Sequence, residues 1–528
     1  MINKILFITP TYFTVTSFLT NHINILSKNN IDFEIVTNTS ELNKYKLNFN
    51  EHTSNNYLKF KHINFKRNIN IIIDLLSLIK LFIFLKKNKK TIIYTIGPKT
   101  GLLVSICGIF LKLNHIHYFT GQVWSNKKNY YFKFLLKNID KFIANRSNYL
   151  LTDSHSQKKF LIDNKILDEY KIEVLGKGSI SGVNLSKFSK NNKSKKMLRN
   201  ELNISEETIL ILFIGRINID KGVIDLVSVY ERLKKIFKND IALLIVGPDE
   251  GNLLKNIKKN LKEKNLKNVF FRDYTPNPEI YYSSSDIFCL PSYREGFGTS
   301  IIEAGACEIP VIGSNIYGLI DSIENNYNGI LFNVGDQNDL FLKLKLLIES
   351  KSLRHKLGKN GLNRAKKFFS SELVSLNFFE YTKICLSIFN NNSKSNSYDI
   401  LIVGTSAHSL WNFRGDLIKS IIKSKRNILT VSSFGTIYDQ KNILENGSDH
   451  INKHIINSKL TPFNDIRYIF FLIYLYFKYN PKVIISYTIK AVIYSGIANF
   501  IFSKNFYPII TGIGNNFIDG KKLFKQKI

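Results

Sequence analysis

Two hydrophobic periods interleave along this chain. Short apolar runs such as KILFIT (4–9), DFEIVTN (32–38) and TIIYTIG (91–97) have the length and the β-branched content of buried strands. Between them, FLTNHINILSKN (18–29) and an apolar, lysine-ended stretch closing at Lys90 carry helical spacing. TILILFIG (208–215) predicts another buried strand, and Asp220 is placed to cap an amphipathic helix running through VIDLVSVYERLKKIF (223–237). ALLIVGPDEG (242–251) gives a further strand and loop, HIHYFTGQVW (115–124) a strand leading into a loop, and 353–389 a closing set of helices. Alternating strands and helices predict α/β domains built on parallel sheets.

Two polar stretches punctuate the pattern. The lysine-rich segment 186–196 is expected to link two domains, and NNNSKSNS (390–397) has the composition of a flexible linker. The domains expected are therefore 1–185, 186–390 and 398–528, with 391–397 as the second linker.

Length and composition agree with this division. A chain of 528 residues, 44% hydrophobic and 22% charged, is ordinary globular material sufficient for about three domains. Cys107, Cys289, Cys307 and Cys385 lack the spacing of a zinc site or a disulfide framework, so reduced thiols and a cytoplasmic protein are expected. The formal charge of +33 comes from lysines spread along the whole chain among Asn and Ile. No zinc-finger or RNA-binding pattern accompanies it, which argues against nucleic acid. Peripheral contact with anionic phospholipid is the better use of that charge, at about 1 kcal/mol per nearby basic side chain. No run predicts a membrane span: 69–85 is interrupted by Asn70, Asp74 and Lys80, 468–477 is too short, and 483–502 contains Lys490. The opening MINKILFITP is expected to be a first strand rather than a signal peptide.

The densest chemistry lies in PSYREGFGTSIIEAGACEIPVIGS (291–314). Glu295 stands in a loop with Gly296 and Gly298, where backbone can approach a ligand closely, and the helix that follows aims free N–H groups and its positive end at the same place. That combination suits a diphosphate. Glu303, eight residues on, faces the ligand on one reading; on the other, Ser300 and Glu303 form a capping box. Arg216 and Lys221 follow the strand 208–215 at what is expected to be its carboxyl end, where open α/β sheets bind ligands.

GRINIDKG (215–222), ALLIVGPDEG and SYREGFGTSIIEAGACEIPVIGS, in this order and spacing, resemble the donor half of the large retaining glycosyltransferase family that includes glycogen synthase and many bacterial polysaccharide transferases. The resemblance extends over roughly 1–390. It implies an α/β fold of the GT-B type, two Rossmann-like domains facing a cleft, with a third Rossmann-like domain at the carboxyl end of this chain. It further implies that Arg216 and Lys221 grip the nucleotide diphosphate, that Glu295 contacts donor-sugar hydroxyls, and that Glu303 holds the ribose. Gly296, Phe297, Gly298 and Thr299 would bring backbone amides to sugar and phosphate. On this basis Glu295, Arg216 and Lys221 form the expected catalytic set.

The reaction implied is transfer of a sugar from a nucleotide-sugar donor, itself a substrate, to a saccharide acceptor on a lipid carrier. Fixed cations and helix N–H groups would stabilise the leaving diphosphate, so neither metal nor cofactor is expected. No Asp-x-Asp pattern is present. In the acceptor half, the place of the family's Gly-Gly loop is taken by Thr9-Pro10-Thr11-Tyr12, and His117 and Phe119 are both acceptor-side candidates left outside the catalytic set. Gly176, Gly178 and Gly182 do not form a dinucleotide fingerprint. The alternatives carried are a nucleotide-sugar epimerase or phosphorylase on the same fold, and a scaffold that binds nucleotide sugar or lipid without turnover.

After the second linker the beginning recurs. KILFIT (4–9) aligns with DILIVG (399–404), Phe18 with Phe413, Ile23 with Ile418 and Val36 with Val431, all 395 residues apart. Tyr94-Thr95-Ile96 matches Tyr487-Thr488-Ile489, and Thr120-Gly121 matches Thr511-Gly512. The region 398–528 is thus expected to be a second acceptor-type half. With no second donor motif following, it would be completed by a partner chain or would serve as a membrane- or acceptor-docking module.

Overall fold

A computed structural model describes residues 2, 4–40, 59–66, 69–124, 129–390, 397–433, 435–453, 455 and 461–510. Every strand pairing in it is parallel. Each return to the sheet therefore needs a crossover, and the amphipathic segments supply helices for it. The chain divides into two units, Asn3–Tyr381 and Thr382–Ile528 with Met1–Ile2.

The first unit contains two sheets. Strands β1 (Lys4–Ile8), β2 (Asp32–Thr37), β3 (Phe60–His62), β4 (Ile92–Ile96), β5 (Asn114–Phe119), β6 (Tyr149–Thr152) and β7 (Ile172–Glu173) lie in the order β3-β2-β1-β4-β5-β6-β7. Helices α1 (Tyr12–Phe18), α2 (Thr20–Lys28), α3 (Ile71–Lys87), α4 (Pro98–Phe110), α5 (Tyr130–Arg146) and α6 (His155–Asp163) connect them. The second sheet, β8 (Ile209–Ile214), β9 (Ile241–Val246), β10 (Val269–Arg272), β11 (Ile287–Leu290), β12 (Val311–Ser314) and β13 (Gly329–Phe332), runs β10-β9-β8-β11-β12-β13. Its helices are α7 (Asn192–Glu201), α8 (Val223–Phe237), α9 (Leu254–Glu263), α10 (Glu279–Ser284), α11 (Thr299–Ala306), α12 (Leu319–Ser322), α13 (Gln337–Glu349), α14 (Lys351–Phe368) and α15 (Ser371–Asn390). β9 is buried at all positions, as expected where helices cover both faces of a parallel sheet. Both orders reverse beside their first strand, between β1 and β4 and between β8 and β11, which leaves a crevice at the carboxyl ends of those strands.

The chain passes between the two sheets twice, side by side. Val183 N–H donates to Phe369 O (2.7 Å), and Ser371 N–H donates to Val183 O (2.9 Å). α15 then packs on the first sheet. Phe378 stacks on the His22 ring at 4.3 Å and lies 5.1 Å from Tyr94, while His22 Nδ1 is 2.9 Å from Ser375 Oγ and its Nε2 2.7 Å from Ile180 O. Burial lowers the His22 pKa to about 4, so the ring is neutral near pH 7.

Two local expectations need correction. Part of the segment 186–196 is helical, because Asn191 accepts from Ser194 N–H and starts α7. There Arg199 is buried and donates to Ser284 O (3.1 Å) and Asp286 Oδ2 (3.2 Å). Asp220 does not cap α8. It lies in a 3-10 turn, Ile219–Lys221, whose cap is Asn218, and Gly222 precedes α8 in the left-handed region at φ 68°.

The third sheet belongs to the second unit. β14 (Ile400–Val403), β15 (Ile428–Ser432), β16 (Asp449–Asn452), β17 (Val483–Tyr487) and β18 (Asn505–Ile509) lie in the order β16-β15-β14-β17-β18, the order of β3-β2-β1-β4-β5, with helices α16 (Ala407–Lys423), α17 (Ile437–Glu445), α18 (Pro462–Tyr479) and α19 (Ile489–Phe502). Ile5 sits opposite Phe33 and Ile400 opposite Ile428, each pair related by 395 residues. Farther on the relation shifts. Ile5 also faces Ile92 and Ile400 faces Val483, so β4 and β17 correspond at 391 residues, and Tyr94 corresponds to Ile485 rather than to Tyr487. A two-residue slip keeps side chains on the same face of a strand, which is why the sequence match accommodates it. Thr511 and Gly512 lie outside the described residues. The apolar run 483–502 is split between β17 and α19, and no helix among the described residues is long and apolar enough to cross a membrane.

Replacing Phe378 by Ala removes the ring that α15 lays on His22 and Tyr94. It should cost about 3–5 kcal/mol, read as a lower urea midpoint at unchanged denaturant slope.

Candidate active site

The loops that leave β8 (215–222) and β11 (291–298) flank the reversal of the second sheet, and the sequence ties them to each other. Tyr293 N–H donates to Asp220 O (2.8 Å). A Cβ on Gly222 would collide with the Pro291 carbonyl, so only glycine allows this approach. The Arg294 guanidinium bridges Asp220 Oδ2 (3.0 Å) and the Gln122 carbonyl (3.2 Å) of the opposite lobe. Within this frame Lys221 Nζ donates to Glu295 Oε1, and Ser292 Oγ donates to the same oxygen at 2.8 Å. Both members of the ion pair are largely removed from solvent, with side-chain exposures of 16% and 12%. Losing either would strand a charge in low dielectric.

α11 begins at Thr299, after Gly298 at φ 76°. No side chain caps it, so the capping-box reading of Ser300 and Glu303 does not hold. Glu303 instead accepts from the Tyr282 hydroxyl at 2.9 Å, and Ser300 hydrogen-bonds the same tyrosine. Burial pushes the Glu303 carboxyl up to about 7 against the opposing effect of the Tyr282 bond. The uncapped first turn leaves backbone N–H groups and the positive end of the helix dipole for an anion beside Lys221 and Glu295. The reverse face of α11 is anchored by a close helix crossing: a Cβ on Gly305 would lie 3.2 Å from the Gly361 backbone in α14.

Other predicted residues have mixed surroundings. Arg216 leaves β8 partly exposed and pairs with Glu250 at 3.1 Å. The Phe297 side chain is buried, edge-on to Phe369 at 5.1 Å, so it packs the loop. Gly296 is pressed against the first lobe: its carbonyl accepts from Ser154 Oγ (2.9 Å), and a Cβ there would lie 2.6 Å from Asp153 Oδ2 and 2.9 Å from Thr120 O. Gly318 N–H donates to Ser156 Oγ at 2.7 Å, a second stitch across the cleft.

His117 and Phe119 are interior residues. His117 Nδ1 is 2.7 Å from Thr95 Oγ1, the two rings meet edge-on at 4.5 Å, and burial holds His117 neutral. A Cβ on Gly101 would come within 2.5 Å of the His117 ring.

Several residues that line the crevice were not singled out by motif. Asp153 and Gln122 are buried, and Asp153 Oδ1 and Gln122 Nε2 have no hydrogen-bond partner among the described residues. Both lie beside the loop after β11, where Gly296 presses on Asp153 and Arg294 donates to the Gln122 carbonyl. Burial, then the charge of Glu295, raises the Asp153 pKa to about 8. Tyr282, Ser292 and Arg294 complete the surroundings of the two glutamates. The signal available in sequence was position alone: TDSHS (152–156) and TGQ (120–122) follow strands at their carboxyl ends. Among the described residues no three His, Cys, Asp or Glu side chains converge as a metal site would require.

The model of the family described as "Glycosyl transferases group 1" matches residues 194–364, which contain both loops and α11. The capsular polysaccharide biosynthesis glycosyltransferase CapM of Staphylococcus aureus is 31% identical over 357 residues, covering 67% of this chain and 90% of that protein. The chain belongs to the group 1 glycosyltransferases. A second member, the UDP-Gal:alpha-D-GlcNAc-diphosphoundecaprenol alpha-1,3-galactosyltransferase of Escherichia coli, is 29% identical over 321 residues, 57% of this chain and 79% of that one. In fold, this glycosyltransferase is similar to the sucrose-phosphate synthase of Thermosynechococcus elongatus, with a TM-score of 0.61 at 19% identity over 73% of this chain and 99% of that one. Its two lobes are thus those of a GT-B enzyme, with Lys221, Glu295 and the start of α11 at the reversal of the second sheet.

The raised Asp153 pKa has a consequence for stability. Between about pH 4 and pH 8 the folded glycosyltransferase keeps a proton that the unfolded chain has released, so stability falls as pH rises through that window. Glu303 acts with the same sign up to about pH 7. The Asp153→Asn variant should flatten the decline of Tm across this range, measured by scanning calorimetry.

Proposed function

We propose that this glycosyltransferase moves a sugar from a nucleotide-sugar donor onto a saccharide carried on a lipid diphosphate, with retention of anomeric configuration and without a metal, in cytoplasm at the membrane face, during synthesis of a surface polysaccharide. The observation that carries the reading is the Lys221–Glu295 pair beside the uncapped N-terminus of α11. The names of CapM and of the diphosphoundecaprenol-dependent galactosyltransferase support the polymer and the lipid-linked acceptor.

In this reading the donor diphosphate occupies the space before α11. Lys221 and Arg216 turn from their carboxylate partners toward phosphate oxygens, and the first N–H groups of α11 complete the cradle. As the sugar–phosphate bond breaks, negative charge grows on the departing diphosphate, and these groups stabilise it without reorganisation. Glu295, released from Lys221, accepts hydrogen bonds from donor-sugar hydroxyls, with Ser292 holding its carboxylate. Glu303, oriented by Tyr282, accepts from the ribose. Asp153 and Gln122 offer unpartnered polar atoms from the first lobe.

Lys221→Ala and Glu295→Ala should each lower kcat by about 10²–10³-fold while melting curves confirm the fold. The assay uses a panel of UDP-sugars with a diphosphoundecaprenol-linked acceptor. Wild-type turnover in both variants would overturn the assignment. The anomeric configuration of the product by NMR tests retention, and full activity in EDTA tests metal independence.

A further inference from the structure

The second unit preserves more of the first than its sheet order. From β4 onward the two copies correspond at 391 residues, as the pairings of Ile92 and Val483 show. The same separation takes α4, which starts at Pro98, to α19, which starts at Ile489. It also relates an ion pair. Lys99 Nζ bonds Asp74 at 2.8 Å, and Lys490 Nζ bonds Asp465 at 3.2 Å.

On α3 the buried positions Ser77, Leu81 and Leu85 face the sheet, while Ile72, Leu75, Ile79 and Ile83 form an exposed stripe on the opposite side. At the corresponding positions α18 presents Phe463, Ile466, Phe470 and Tyr474, again exposed, with Phe463 at 87% and Phe470 at 65%. The ends of the neighbouring helices agree: Phe110 on α4 is 75% exposed, and Phe500 on α19 is 91% exposed. Nothing in the sheet packing requires apolar residues there. Two copies that differ in sequence nonetheless both keep this face apolar, which marks it as a surface that leaves water.

Charge decides what covers it. The single acidic residue of α3, Asp74, and that of α18, Asp465, are the ones held in the two ion pairs, and α4 and α19 carry no acidic residue. The exposed charges beside the stripes are basic: Lys80, Lys86 and Lys87 on α3, Arg467 and Lys478 on α18. Lysine is depleted at the centres of protein interfaces, whereas an apolar helix face with a cationic border suits an anionic bilayer surface. No described helix could cross a membrane, so the faces would lie in its interfacial layer.

We propose that α18 and α19 of the second unit form a docking face for anionic phospholipid, equivalent to the face formed by α3 and α4 of the first unit. The second unit is thereby a membrane-binding copy of the acceptor-type domain. This deepens the reading of a membrane-bound acceptor, on which it rests.

The full chain is sedimented with vesicles of phosphatidylcholine mixed with phosphatidylglycerol, and with phosphatidylcholine alone, at low and high salt. Wild type should bind the mixed vesicles, more weakly at high salt and on neutral lipid. The triple variant Phe463→Ser, Phe470→Ser, Phe500→Ser should bind the mixed vesicles about tenfold or more weakly at an unchanged melting temperature, since exposed side chains are altered. Ile72→Ser, Ile79→Ser, Ile83→Ser should do the same for the first face. Wild-type vesicle binding by the Phe463 variant overturns the proposal. So does a wild-type dimer in the ultracentrifuge that this variant makes monomeric with lipid binding unchanged, because a second copy would then cover the face. Transfer to a short-chain, water-soluble acceptor analogue should be the same in wild type and variants. Its failure in all of them would refute the transfer reading while leaving the vesicle result standing.

Discussion

The ion pair between Lys221 and Glu295 depends on a contact that has no side chain in it. Gly222 lets the loop after β8 touch the Pro291 carbonyl, and the Asp220–Tyr293 backbone bond holds it there. Only then do a cation from one loop and a carboxylate from the next meet at the reversal of the sheet, beside a helix whose first turn is uncapped. Two largely buried opposite charges in contact are costly to separate, because each would otherwise be left unpaired. The same arrangement therefore keeps the two charges balanced within the crevice.

The strand–helix alternation around β8 and β9 could be read from period and residue type, because both strands are unbroken apolar runs and α8 keeps its polar face. The motif residues Arg216, Lys221, Glu295 and Glu303 fall on the loop after β8, the loop after β11 and α11, around the reversal of one sheet, and the sequence motifs mark these segments. Helix starts were less legible. Asp220 and Ser300 have capping chemistry, yet Gly222 and Gly298 occupy the capping positions, since both are left-handed and Gly222 also meets the Pro291 carbonyl. Asp153 and Gln122 were hidden for another reason: what distinguishes them is burial against the opposite lobe, a property of tertiary contact that no local pattern encodes.

The duplication illustrates how sequence and register divide the information. Matches of apolar residues identified the repeat and its offset over β1 and β2, where Ile5 and Ile400 keep equivalent partners. They failed by two residues at β4, since a strand presents the same face every second residue. Hydrogen-bond register resolved the slip, and with it came the correspondence of Asp74 with Asp465 and of Lys99 with Lys490.

The paired passages of the chain at Val183 and Ser370 bear on how the two lobes of the first unit can move. The outgoing and returning segments are hydrogen-bonded to each other, with Gly182 at φ 64° alongside, so they form one joined connection rather than two separate tethers. A turn about that connection would break no strand pairing, because the two sheets share none. The contacts that such a turn would part are those of Ser154 with Gly296 and of Ser156 with Gly318.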